Sequence, residues 1–217
     1  MPRLLPLVVA AGWLAACSLS GGHQATEVFS GPQQGEPLAK FTVAGALGPQ
    51  EGKDFDPVAS AGDKPLLLIF VHEVNRPSVG MARLLGEYAA KRSSDGLHCA
   101  VVFLTDDPAE TEAWIKRASG ALPKEVPLGI FRDGVEGPGE YGLNRKVTMT
   151  ILVANKGKVT ANFALVQPSI QADAPKVLKA IVDVVGGKVP TLEELGAPGT
   201  RQRPTRERPK TKTEDGK

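Results

Sequence analysis

Apolar positions along the chain change period several times, and each change predicts an element. Leu66–Val71 is an unbroken apolar run behind Pro65, which suits a strand buried on both faces in a sheet with parallel neighbours. Met81, Leu84, Leu85 and Tyr88 then recur at helical spacing, with Pro77 placed for a first turn and Ser93-Ser94-Asp95-Gly96 as the stop. Residues 99–104 read as a second apolar strand, and Asp107-Pro108 opens a helix carrying Trp114 and Ile115. After a Gly- and Pro-rich stretch over 126–142, strands at 149–154 and Lys158–Leu165 flank a turn at Asn155-Lys156-Gly157, and 177–185 reads as a closing helix. Upstream, 38–44 and 53–58 predict a short hairpin with Gly45, Gly48 and Gly52 in its turn. No segment repeats. The order hairpin, β-α-β-α, β-β-α places the chain in the α/β class.

The two ends break this pattern. Arg3 and the apolar run from Leu4 to Leu14 have the length of a secretory core rather than a membrane span, and the run closes on Leu14-Ala15-Ala16-Cys17. That closing string resembles the bacterial lipobox, which predicts a signal peptide over 1–17 and lipidation of Cys17; the plainer alternative is a secretory signal in which Cys17 is incidental. Both predict export. Residues 18–37 are rich in Gly, Gln, Ser and Pro and read as a flexible tether, and 188–217 as a basic disordered tail. Residues 201–217 hold seven Lys or Arg against three acids, a local +4 that exceeds the chain's +2, so the rest of the chain carries −2. Such a tail either stays solvated or touches anionic lipid or cell-wall polymer.

Composition removes several classes of function. With 217 residues, 41% hydrophobic and 23% charged, the chain has room for one domain of about 150 residues. A net charge of +2 does not predict a nucleic-acid partner. Two cysteines and three histidines fall short of a disulfide scaffold or a structural zinc site, so no metal or other cofactor is expected.

Several strings, in order and at the right separations, are similar to the thioredoxin-like superfamily in its redoxin, thiol-disulfide oxidoreductase branch. Phe70-Val71-His72-Glu73-Val74-Asn75-Arg76-Pro77-Ser78 falls where that family has a strand end, a turn and Cys-Gly-Pro-Cys opening a helix. Tyr141-Gly142-Leu143, Thr150-Ile151-Leu152-Val153 and Asn155-Lys156-Gly157-Lys158-Val159 resemble its later Tyr-Gly, strand and glycine-turn segment. The resemblance covers about 38–185 and implies a three-layer α/β/α sandwich with a mixed central sheet and an N-terminal hairpin extension, here a domain over 38–187.

The same alignment implies a site without its chemistry. Asn75 stands at the attacking cysteine and Ser78 at the resolving cysteine, while Pro77 is retained. Asn has no ionisable group and an unactivated Ser hydroxyl is a poor nucleophile, so thiol-disulfide exchange is not expected. Ile69 takes the place of a buried acid, Val71 and Val74 replace aromatic residues, and Met149 replaces the cis-proline beside the active site. A peroxiredoxin-type reaction lacks its cysteine in this segment as well.

The residues left to consider are His72, Glu73, Asn75, Arg76, Pro77, Ser78 and Met149, on two segments that meet in the implied fold. Arg76 with the free amides of a helix start suits a small anionic ligand, whereas Asn75 or Ser78 as a helix cap is the structural alternative. His72 with Glu73 carries the pattern of an acid-base pair, but no further His or carboxylate cluster stands near them in sequence. Cys99, the single thiol left after Cys17 is lipidated, reads as a small buried hydrophobe. Its alternative role is that of a redox thiol activated by His98, although adjacent strand residues face opposite ways. The expected protein is thus a redox-inactive binding or scaffolding module of the bacterial cell envelope, facing periplasm or exterior. Its partner would be a protein or small anionic ligand, and its contact with the membrane would run through the lipid anchor. The competing expectation is an atypical thiol oxidoreductase or peroxidase using Cys99.

Overall fold

Unbroken apolar strands in the middle of the chain produce a sheet covered on both faces. The computed structural model describes residues 28–197; the signal segment, Cys17 and residues 198–217 lie outside them. Seven strands form one open sheet: β1 Val43–Leu47, β2 Asp54–Phe55, β3 Leu66–Val71, β4 His98–Leu104, β5 Leu128–Phe131, β6 Met149–Asn155 and β7 Lys158–Leu165. Their order is β2-β1-β5-β4-β3-β6-β7, with β3, β4 and β5 parallel and all other pairs antiparallel. The helices are α1 Pro57–Ala61, α2 Arg76–Lys91, α3 Pro108–Arg117 and α4 Ile170–Val185. This is the layered α/β architecture with a mixed sheet and an N-terminal hairpin that the sequence resemblance implies.

Alternation along the buried strands divides the core in two. Leu67, Ile69, Val71, Val101 and Phe103 face α2, α3 and α4, whereas Leu66, Leu68, Phe70, Ala100 and Val102 face α1 and the irregular segments around Phe41 and Tyr141. On the second face Phe41, Phe70 and Tyr141 stack with ring centroids 5.3–5.7 Å apart, and the Tyr141 hydroxyl donates to Ala39 O at 2.8 Å. Aromatic pairs of this kind contribute ~0.5–1.5 kcal/mol each beyond their burial. They fix the loop that leads into β6 beneath the end of β3.

Local chemistry moves several predicted boundaries. The hairpin strands are shorter and later than 38–44 and 53–58, because Asp56 caps α1 by accepting from Val58 N and Ala59 N, with Pro57 at its first turn. Gly45 lies in β1 rather than in the turn; a Cβ there would stand 1.8 Å from Gln50 O. Strand β5 arises inside the stretch read as loop, since it is four residues long and Gly129 passes against Val43 and Ala44 O. Helix α4 begins seven residues earlier than predicted, at a Ser169 cap, with Pro175 accommodated in its second turn.

The composition-based ends move too. Residues 28–37, assigned to the tether, lie along β7: Gly35 N donates to Val159 O, Val159 N to Glu36 O, and the Asn162 amide to Ser30 O and Pro32 O. Residues 188–197, assigned to the tail, pack Val189, Leu192 and Leu195 on the core and bury Ala197. Backbone and side-chain amide bonds at one end, and three spaced apolar residues at the other, outweigh the Gly- and Pro-rich composition. Among the described residues no helix is long and apolar enough to cross a membrane.

Candidate functional site at the end of β3

β3 ends at Val71 and α2 begins at Arg76, so four residues must turn a buried strand into a helix. The turn is closed by a reciprocal capping box: Asn75 Oδ1 accepts from Ser78 N at 2.9 Å, and Ser78 Oγ accepts from Asn75 N at 3.0 Å. Ser78 is fully buried, and its hydroxyl donates to Glu73 O at 2.7 Å. Pro77 occupies the second helical position, where no intrahelical N–H is needed. Asn75 and Ser78, which the sequence resemblance sets at the cysteine positions, thus hold each other and the helix start. Of the binding candidates in this loop, Glu73, Arg76 and Pro77 are exposed and His72 and Asn75 half-buried, while Ser78 is closed off from any ligand.

The segment before β6 does meet this loop. Thr148 O accepts from both His72 N and Glu73 N, at 3.0 and 3.2 Å. The Thr148 hydroxyl donates to Val166 O at 2.8 Å and lies 3.4 Å from Glu73 Oε2. Between these segments lies an open depression of about 550 Å³, lined by His72, Glu73, Arg145, Lys146, Thr148 and Val166. Met149 is not part of it. Its side chain is fully buried in the helix-facing core, because the register Val71↔Met149 continues the inward face of β3 across to β6. No cis peptide bond occurs among the described residues.

His72 anchors a polar series that the sequence reading missed. Its Nε2 shares a hydrogen bond with Thr150 Oγ1 at 2.9 Å, Thr150 Oγ1 another with Ser30 Oγ at 2.6 Å, and Asn144 N donates to Ser30 Oγ at 3.0 Å. Nδ1 of His72 is buried with no partner among the described residues. Burial pushes the imidazole down from 6.5 to about 4, so it is neutral at physiological pH. A general base poised near pH 7 is therefore absent from this pair. The available signal was Thr150, a polar residue inside an otherwise apolar strand; Arg145 and Lys146 gave none, since loop cations are common.

Cys99 lies far from this site. It pairs with Leu67 at the opposite end of β3, on the helix-facing side of the sheet. Burial pushes its thiol up to about 12, so it is held as the neutral thiol at pH 7. His98 is not a lever on it: burial and nearby Lys64 lower the imidazole below its ordinary value, removing the positive charge that activation requires.

No family model matches the chain, and no curated protein matches it. Solved structures do. It superposes with TM-score 0.58 on a protein assigned as thiol:disulfide interchange protein DsbE from Chlorobium tepidum, at 17% identity over 71% of this chain and 99% of that one. The chain has a thioredoxin-like fold. The mitochondrial 2-Cys peroxiredoxin from Plasmodium falciparum gives TM-score 0.51 at 16% identity, covering 72% and 99% of the two chains. Peroxidoxin BcpB from Mycobacterium tuberculosis gives 0.50 at 17%, covering 70% and 97%. At such identities the thioredoxin-like likeness carries the architecture, and function has to be argued from the residues above.

Proposed function

We propose that this chain is an exported, lipid-anchored thioredoxin-fold protein that does no dithiol chemistry and acts as a binding or scaffolding module at the bacterial cell envelope. One observation carries the reading: the positions that would hold the dithiol are spent on a reciprocal helix cap, and the remaining thiol is buried at the far end of the strands. The contact surface for a protein or small anionic ligand is the rim formed by Glu73, Arg145 and Lys146, exposed around the depression, with Arg76 exposed on the adjoining helix start. Export and anchoring are supported by the apolar run ending at Leu14-Ala15-Ala16-Cys17.

Purified residues 18–217, which retain every described residue, are expected to give no disulfide reduction and no peroxide consumption above buffer, and the Cys99→Ser variant is expected to match. Turnover that disappears with Cys99→Ser would replace this reading with a single-cysteine enzyme. In cells, radiolabelled palmitate is expected to enter the full chain and not its Cys17→Ser variant. Equal labelling of both would remove the anchor.

A further inference from the structure

Three large apolar side chains stand exposed among the described residues: Phe29, Val74 and Val166, at 59%, 44% and 47%. Single exposed apolar residues are ordinary, but these three share one end of the molecule. Val74 belongs to the loop after β3, and Val166 lines the depression with His72 and Arg145. Phe29 reaches the same place through its carbonyl, which accepts from the Asn144 amide at 3.1 Å, beside Arg145 and Lys146. Exposed cations stand among them at Arg76, Arg145 and Lys146, with Glu73 and Glu136 as the neighbouring acids. Glu136 is ion-paired with Arg145 at 3.0 Å. Asp106, Asp107 and Asp133 follow β4 and β5, so the acidic half of this end lies away from the apolar trio.

Both limits of the described chain fall on the same rim. Val28 adjoins Phe29, and Ala197 lines a second depression together with Val74, Asn75 and Arg76. Ten residues separate Cys17 from Val28, a reach of at most about 36 Å. Residues 201–217, following Ala197, carry a net +4.

We propose that this rim is a membrane-docking face, with Phe29, Val74 and Val166 entering the interface of an anionic phospholipid surface. Arg76 and Lys146 then face the headgroups. The proposal takes its setting from the exported reading, but the contact needs no lipid on Cys17. Apolar side chains supply burial in the interface, and each cation near an anionic leaflet raises the partition about fivefold.

The test is co-sedimentation of unlipidated residues 18–217 with vesicles of mixed phosphatidylglycerol and phosphatidylcholine, against vesicles of phosphatidylcholine alone. Binding is expected to the anionic vesicles, to weaken as salt rises, and to fall about tenfold in Phe29→Ser/Val166→Ser and about fivefold in each of Arg76→Gln and Lys146→Gln. These positions are exposed, so the thermal midpoint of each variant serves as the folding control. No sedimentation, equal binding to neutral vesicles, or variants that bind like the parent would each overturn the proposal. So would binding that vanishes on removal of 201–217 while the rim variants keep it, because the tail alone would then make the contact. A chain that ignores vesicles yet incorporates palmitate at Cys17 would remove the docking face and leave the anchored reading standing.

Discussion

An Asn75→Cys/Ser78→Cys variant is expected to close an intramolecular disulfide in oxidised glutathione, read as the loss of two hydrogens by mass, while neither single variant does so. The parent side chains already reach across to each other's backbone: Asn75 Oδ1 to Ser78 N at 2.9 Å and Ser78 Oγ to Asn75 N at 3.0 Å. Residues at the cap and third helical positions, held face to face in this way, have the separation that a disulfide needs. A thiol at residue 75 would also sit at the start of a sixteen-residue helix, whose N-terminal dipole favours thiolate. The variant is therefore expected to gain measurable disulfide reduction where the parent has none. Loss of the two caps costs about 1–2 kcal/mol, which a denaturation curve of the reduced double variant would register. Two thiols that persist after oxidation would mean that the loop does not hold the geometry described. The experiment separates an intact architecture lacking its sulfur atoms from one that has drifted beyond repair.

How much of this was readable beforehand depended on how locally each feature is encoded. The strand over 66–71 and the helix after Pro77 follow from runs and periods of single elements, and both are present as expected. Strand β5 was not legible: four residues including Gly129 carry too little pattern, and it forms because β4 and β1 supply its partners on both edges. The roles of Asn75 and Ser78 as caps were an open alternative in the sequence, decided by their mutual bonds. Met149 was misplaced because alignment assigns a position and not a direction; the pleat of β6 turns that side chain inward. The His72–Thr150–Ser30 series joins residues 78 and 120 positions apart in the chain, so no local pattern reveals it. Similarly, low-complexity composition hid the packing of 28–37 and 188–197, which depends on amide bonds and a few apolar contacts.

The same buried series predicts acid lability between pH 6.5 and about 4. His72 binds its proton less readily in the folded protein than in the unfolded chain, because burial opposes the charged form. Its folded value is the lower one, so in that window the unfolded chain holds more protons and stability falls as pH falls. Below about 4 both states are protonated and the loss is complete. The full drop corresponds to ~3 kcal/mol, which the partly open setting of the ring reduces to about 2 kcal/mol. Urea midpoints at pH 7.0 and 5.0 are expected to differ in the parent, and to differ much less in a His72→Gln variant, whose amide still reaches Thr150 without titrating. Carboxylates titrate chiefly below this range, and His98 is present in both proteins, so the comparison isolates His72. An unchanged pH slope in the variant would assign the lability to another group. A positive imidazole would also leave Thr150 only as an acceptor for it, committing the Thr150 hydroxyl proton to Ser30. Loosening is therefore expected first at residues 28–32, read as faster amide exchange there than in β3 when the pH is lowered.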